Sequence, residues 1–100
     1  MEKRKAHYDL DSIKQVVNQS GIDTFTRTAK DNSRLMGLTE ADAVAAVKRL
    51  NSRMLFKSMT TNWDRTVWQD VYHAPCPNGK IAYIKLTLRE GIVVIQFKEK

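Results

Sequence analysis

One hundred residues and 11.5 kDa leave room for one domain, residues 1–100, because two independent cores do not fit in so short a chain. Seventeen Lys and Arg against eleven Asp and Glu give a net charge of +6, and an apolar share of 42% belongs to a globular chain rather than a disordered one. The lone cysteine, Cys76, excludes an intrachain disulfide. The two separated histidines, His7 and His73, with no metal-ligand spacing around them, argue against zinc, and neither glycine-rich nucleotide motif is present. The expectation is a basic domain with no cofactor and no metal, whose charge suits a polyanionic partner.

The first ten residues carry charge but no apolar stretch behind it. The longest aliphatic run, Ile92 to Ile95, is too short to span a bilayer, so the expected location is the cytoplasm, with no membrane partner. The Lys3-Arg4-Lys5 cluster reads as a solvated tail. Asp11 or Ser12 is expected to cap a first helix with Ile13, Val16 and Val17 on one face, ended by Gly21. A short extended piece follows from Asp23 to Thr26, then a second helix from Arg27 to Met36, stopped at Gly37. Thr39, with Asp42 behind it, caps a third helix whose Ala43, Val44, Val47 and Leu50 form an apolar stripe.

From Met54 onward β-branched and aromatic residues dominate. Strands are expected at 54–60, 66–73, 81–88 and 92–98, joined by turns at 62–64, 74–80 and 89–91. Short joints make the four strands an antiparallel meander, and helices first with strands last indicates an α+β fold, helices packed on one face of the sheet. Period-two alternation puts Ala82, Ile84, Leu86 and Leu88 toward the helices, with Val93, Ile95 and Phe97 beside them. In the first two strands Phe56, Trp68, Asp70 and Tyr72 take the same side. The opposite, open face then carries Lys57, Met59, Gln69, His73, Tyr83, Lys85, Gln96 and Lys98, a set with cations and amides but no carboxylate. Residues 51–100 hold eight Lys or Arg and four Asp or Glu, so the strand half supplies most of the excess charge.

Such a face suits the phosphodiester of RNA. The ribose 2′-OH is a built-in nucleophile, so the protein has only to align it and stabilise charge on the phosphorane. One lysine about 4 Å away at an effective dielectric near 20 interacts with a unit of that charge by roughly 4 kcal/mol before desolvation, on the order of 10³ in rate. Lysine and tyrosine titrate near ~10 and are weak bases at neutrality unless neighbouring cations lower them. His73 is better tuned for proton transfer. Trp63, in a turn, has a face on which a base could stack. An RNA-binding module without catalysis fits the same residues.

Four stretches carry a resemblance: Met1-Glu2-Lys3-Arg4, Phe56-Lys57-Ser58-Met59-Thr60-Thr61, Thr66-Val67-Trp68-Gln69-Asp70-Val71-Tyr72 and Phe97-Lys98-Glu99-Lys100. On these the chain resembles the MqsR family, the motility quorum-sensing regulator toxins of bacterial type II toxin–antitoxin systems. The resemblance implies a RelE-like ribonuclease fold and metal-independent cleavage of mRNA at GC-containing triplets of the GCU and GCA type. It also implies neutralisation by an MqsA-type antitoxin with zinc-binding and helix-turn-helix domains. Carried over by position, it implies Lys57 and Lys98 as phosphate ligands, Tyr83 as proton donor or phosphate ligand and Gln69 as the residue orienting the nucleotide. Met59, His73, Lys85 and Gln96 are expected to contact RNA around them. Histidine stands at position 73 where the family pattern has a basic arginine.

Overall fold

The computed structural model describes Met1–Lys100. Three helices, α1 (Leu10–Ser20), α2 (Arg27–Leu35) and α3 (Glu40–Lys48), lie against one face of a sheet of five strands. These are β1 (Glu2–Lys3), β2 (Leu55–Thr60), β3 (Trp68–Pro75), β4 (Ile81–Arg89) and β5 (Ile92–Glu99), paired antiparallel in chain order. The α+β meander is therefore as expected and agrees with a RelE-like arrangement. Its additional strand, β1, is too short to carry a period. It is made by pairing rather than by pattern, with Glu2 opposite Met59 and Lys3 opposite Ser58.

Local chemistry sets the helix ends. Asp9, not Asp11 or Ser12, caps α1, accepting from the Ser12 amide and hydroxyl at 3.2 and 2.7 Å. Residues 21–24 close into a 3-10 turn instead of the expected extended piece, and only Phe25 and Thr26 continue extended before α2. Thr39 and Asp42 form a reciprocal capping box at α3, each side chain taking the other's backbone N–H.

Between the layers sits one core. Ile13 and Val17 of α1, Ala29 of α2 and Ala43, Ala46 and Val47 of α3 pack on Tyr72, Ala82, Ile84, Leu86, Ile95 and Phe97. Every sheet residue in that set has the parity assigned from the sequence. Cys76 is buried at the edge of the core, which pushes its thiol pKa up and keeps it unreactive. No helix is long and apolar enough to cross a membrane.

A buried carboxylate ties the N-terminus down. Asp70 is fully inaccessible and lies on the helix side of β3. It accepts from the Ser58 hydroxyl at 2.6 Å, the His7 amide at 3.0 Å and the Tyr8 amide at 2.9 Å. Tyr8 in turn donates its hydroxyl to the Trp68 carbonyl at 2.7 Å, while Lys3 sets its ammonium 4.2 Å from the centre of the Trp68 ring. The segment expected to be a solvated tail is thus a fastened edge of the sheet, because charge-assisted bonds from the His7 and Tyr8 amides to a buried acceptor hold the chain while Arg4 and Lys5 stay exposed to water.

Candidate active site

Strand register assembles the open face in rows. Paired residues of an antiparallel sheet point to the same side, so Lys57, Val71, Lys85 and Gln96 form one row, and His73, Tyr83 and Lys98 the next. Met59 stands opposite Gln69 in the row beyond. All eight residues expected on this face lie on it.

Two of its members were not expected. Register shifts between Leu55 and Lys57, and this bulge turns Phe56 out of the helix-side set onto the open face. There it stacks on His73, ring centres 4.5 Å apart and planes within 22°, and His73 leans on Tyr83 at 5.4 Å. Cations flank this aromatic stack at both ends. Lys57 lies 5.4 Å from the Phe56 ring, and Lys98 and Lys85 lie 5.1 and 5.8 Å from the Tyr83 ring.

The other is Glu2, which β1 brings onto the face, where its carboxylate meets Lys57 Nζ at 2.7 Å. The face is therefore not free of carboxylate. Hydrogen bonding and charge from Lys57 hold the Glu2 pKa below the usual carboxylate range. Lys85 is half-buried in the middle of the cationic group. Burial first, and then Lys98 and Lys57, push its pKa below that of an ordinary lysine. An anion placed over Lys85 would offset the repulsion it feels from Lys98 and Lys57.

His73 is partly exposed, but not at its Nε2. Its Nε2 is buried and has no hydrogen-bond partner, and burial followed by the charge of Lys100 pushes its pKa down, so the ring is neutral at pH 7. The side chains of Gln69 and Gln96 and the Tyr83 hydroxyl make no hydrogen bond within the chain and point polar groups at whatever covers the face.

Two grooves flank the centre. One, of about 420 Å³, runs between α2 and β5 over Tyr83, Gln96 and Lys98. The other, of about 320 Å³, lies over Met59 and Gln69 beside the loop from Thr61 to Val67, and Lys85 and Gln96 line both. Asp64 organises that loop by accepting from the Thr66 amide and hydroxyl at 2.8 and 2.6 Å, leaving Trp63 at the tip 98% exposed. The α2 wall of the first groove was not legible in sequence, since helix period does not say which side meets a sheet edge.

A family model described as "Motility quorum-sensing regulator, toxin of MqsA" matches residues 5–99. The chain belongs to the MqsR toxin family. It is also similar to the mRNA interferase toxin MqsR of Escherichia coli (strain K12), 37% identical over 100 residues that cover the whole of both chains. Strands β2 to β5, which carry all eight residues expected on the open face, therefore lie within the part that the family model matches.

Proposed function

We propose that this protein is an mRNA interferase, an endoribonuclease that cuts single-stranded mRNA on the open face of its sheet by attack of the ribose 2′-OH on the adjacent phosphate. The observation that carries the reading is the lysine cluster of the open face, Lys85 and Lys98 over the Tyr83 ring and Lys57 in the same row as Lys85, with unpartnered amides on either side. Membership of a toxin family whose E. coli relative is named an mRNA interferase supports it.

Lys57 and Lys98 hold the scissile phosphate and the charge that develops on it, and Lys85 completes the cradle. Tyr83, held between His73 and the lysines, donates a proton or ligates the phosphate. Gln69 orients the nucleotide, with Met59 and Gln96 against the neighbouring bases and His73 supporting Tyr83 from behind. No metal ion is needed for 2′-OH attack, since lysines supply the charge that a metal otherwise would. By the same family membership the cut falls at GC-containing triplets of the GCU and GCA type. The toxin works in the cytoplasm, and an MqsA-type antitoxin with zinc-binding and helix-turn-helix domains neutralises it.

Incubating the purified protein with an RNA and with its all-deoxy analogue, both in excess EDTA, tests the reading. Cleavage of the RNA alone is expected. An intact RNA at high enzyme concentration would leave a protein that binds RNA or antitoxin without catalysis.

A further inference from the structure

Beside the lysine cradle, the sheet does not end in a free edge. The Thr26 amide donates to the Ile95 carbonyl at 3.0 Å, Phe25 forms a parallel bridge with Ile95, and Asn32 Nδ2 donates to the Phe97 carbonyl at 3.0 Å. These bonds fasten α2 along the outer edge of β5. The consequence is a wall beside the open face, and between wall and face lies the groove of about 420 Å³, within the size range of clefts that take small ligands.

The wall is chemically unlike the floor. Thr28 and Asn32 are neutral and polar where the floor is cationic. With Nδ2 committed to Phe97, Asn32 has Oδ1 left as an acceptor, and the Thr28 hydroxyl makes no bond within the chain. An uncharged acceptor and hydroxyl beside an aromatic ring suit the edge of a nucleobase, whereas a second phosphate would require cations on the wall. The position agrees with the chemistry. Lys85 and Gln96 line this groove and also the groove beside Trp63, so a phosphate over Lys85 has one compartment on each side. A phosphodiester likewise has one nucleoside on each side.

We infer that the groove between α2 and β5 is a nucleobase subsite, in which Asn32 and Thr28 read one of the two bases flanking the scissile phosphate. The inference rests on the RNA-cleaving reading of the face and adds to it a residue-level source of base selectivity, located on a helix rather than on the sheet. Asn32 Oδ1 accepts from an amino or imino N–H of that base.

The test uses a pool of RNAs randomised on both sides of the cut, with cleavage sites read by sequencing. The same pool carrying a 2′-O-methyl group at the cut position is used for equilibrium binding. Asn32→Ala removes the acceptor. Thr28→Tyr, at an exposed position without a hydrogen bond, fills the groove and serves if Asn32→Ala loosens α2. Both variants are expected to change base preference at one side of the cut by at least fivefold and to leave the other side as in the wild type. Wild-type preference retained on both sides by both variants would overturn the subsite while leaving the nuclease intact. A wild-type protein that binds the methylated pool with a preference the variants lose, yet cuts no RNA, would uphold the subsite and overturn the nuclease.

Discussion

Lys57 sits between two partners of opposite consequence. In the free protein it is paired with Glu2 at 2.7 Å, and in the proposed complex it holds phosphate, so Glu2 competes with the substrate for the same ammonium. Lys57→Ala is expected to slow cleavage by well over tenfold without unfolding the chain. Glu2→Gln is expected to act the other way and tighten RNA binding several-fold at low salt, the gain fading as salt screens the face. Steady-state kinetics and filter binding across a salt series separate the two. Matching losses in both variants would make the ion pair a catalytic unit rather than a competition.

His73 gives a pH prediction with a definite sign. Its folded pKa is depressed by burial and by Lys100, so between the folded and unfolded values the unfolded chain binds more protons and stability rises with pH. The contribution is present above the ordinary histidine value of about 6.5 and is lost as pH falls through the folded value. Urea midpoints measured from pH 7.5 down to 5 should therefore fall more steeply for the wild type than for His73→Gln. Since the ring is neutral and its Nε2 is enclosed, the two pH–rate profiles should run parallel between pH 6.5 and 8. A limb removed by the substitution would make His73 a proton carrier.

Among the elements, β1 is short enough that its pairing with β2 is expected to need support from a side chain elsewhere. Asp70 accepts from Ser58, His7 and Tyr8 in a fully buried position, and its charge joins burial in pushing the Tyr72 pKa up to about 12. Asp70→Ala strands those donors. The expected cost is about 3 kcal/mol, or on the order of 10–20 °C in Tm for a chain this size. Amide exchange in residues 2–8 should accelerate ahead of the core, and Glu2 should leave Lys57 with it. Exchange rates in that segment unchanged from the wild type would show that β1 is held by its own pairing.

The same scale explains what could be read in advance. Alternation along β4 and β5 placed Tyr83, Lys85, Gln96 and Lys98 correctly because those strands are unbroken and one of their faces is buried. It failed at Phe56 because a bulge has no composition signal, and Lys57 survived because it lies downstream of the shift. Glu2 escaped because a two-residue strand has no period, and Asn32 because its place beside β5 depends on a bridge between Phe25 and Ile95, seventy positions apart. Local chemistry is legible in local sequence, whereas contacts set by docking are not.

At the scale of the whole molecule, one core serves one purpose. The helices bury the far side of the sheet and, through α2, extend past its edge, so a chain of one hundred residues presents a rigid cationic face walled on one side by a helix and on the other by the Trp63 loop. The charge of +6 found by counting acquires a position: three lysines in neighbouring rows, restrained by one carboxylate. A face of this kind suits a substrate that brings its own nucleophile, and in the proposed reaction the 2′-OH is that group. The most direct measurement is cleavage, in EDTA, of an RNA carrying a single 2′-deoxy nucleotide at the position where the unmodified RNA is cut. Loss of that one cut, with a 2′,3′-cyclic phosphate at the end of the unmodified product, is the predicted result. Undiminished cutting at the deoxy position, or a 3′-hydroxyl end, would contradict the account.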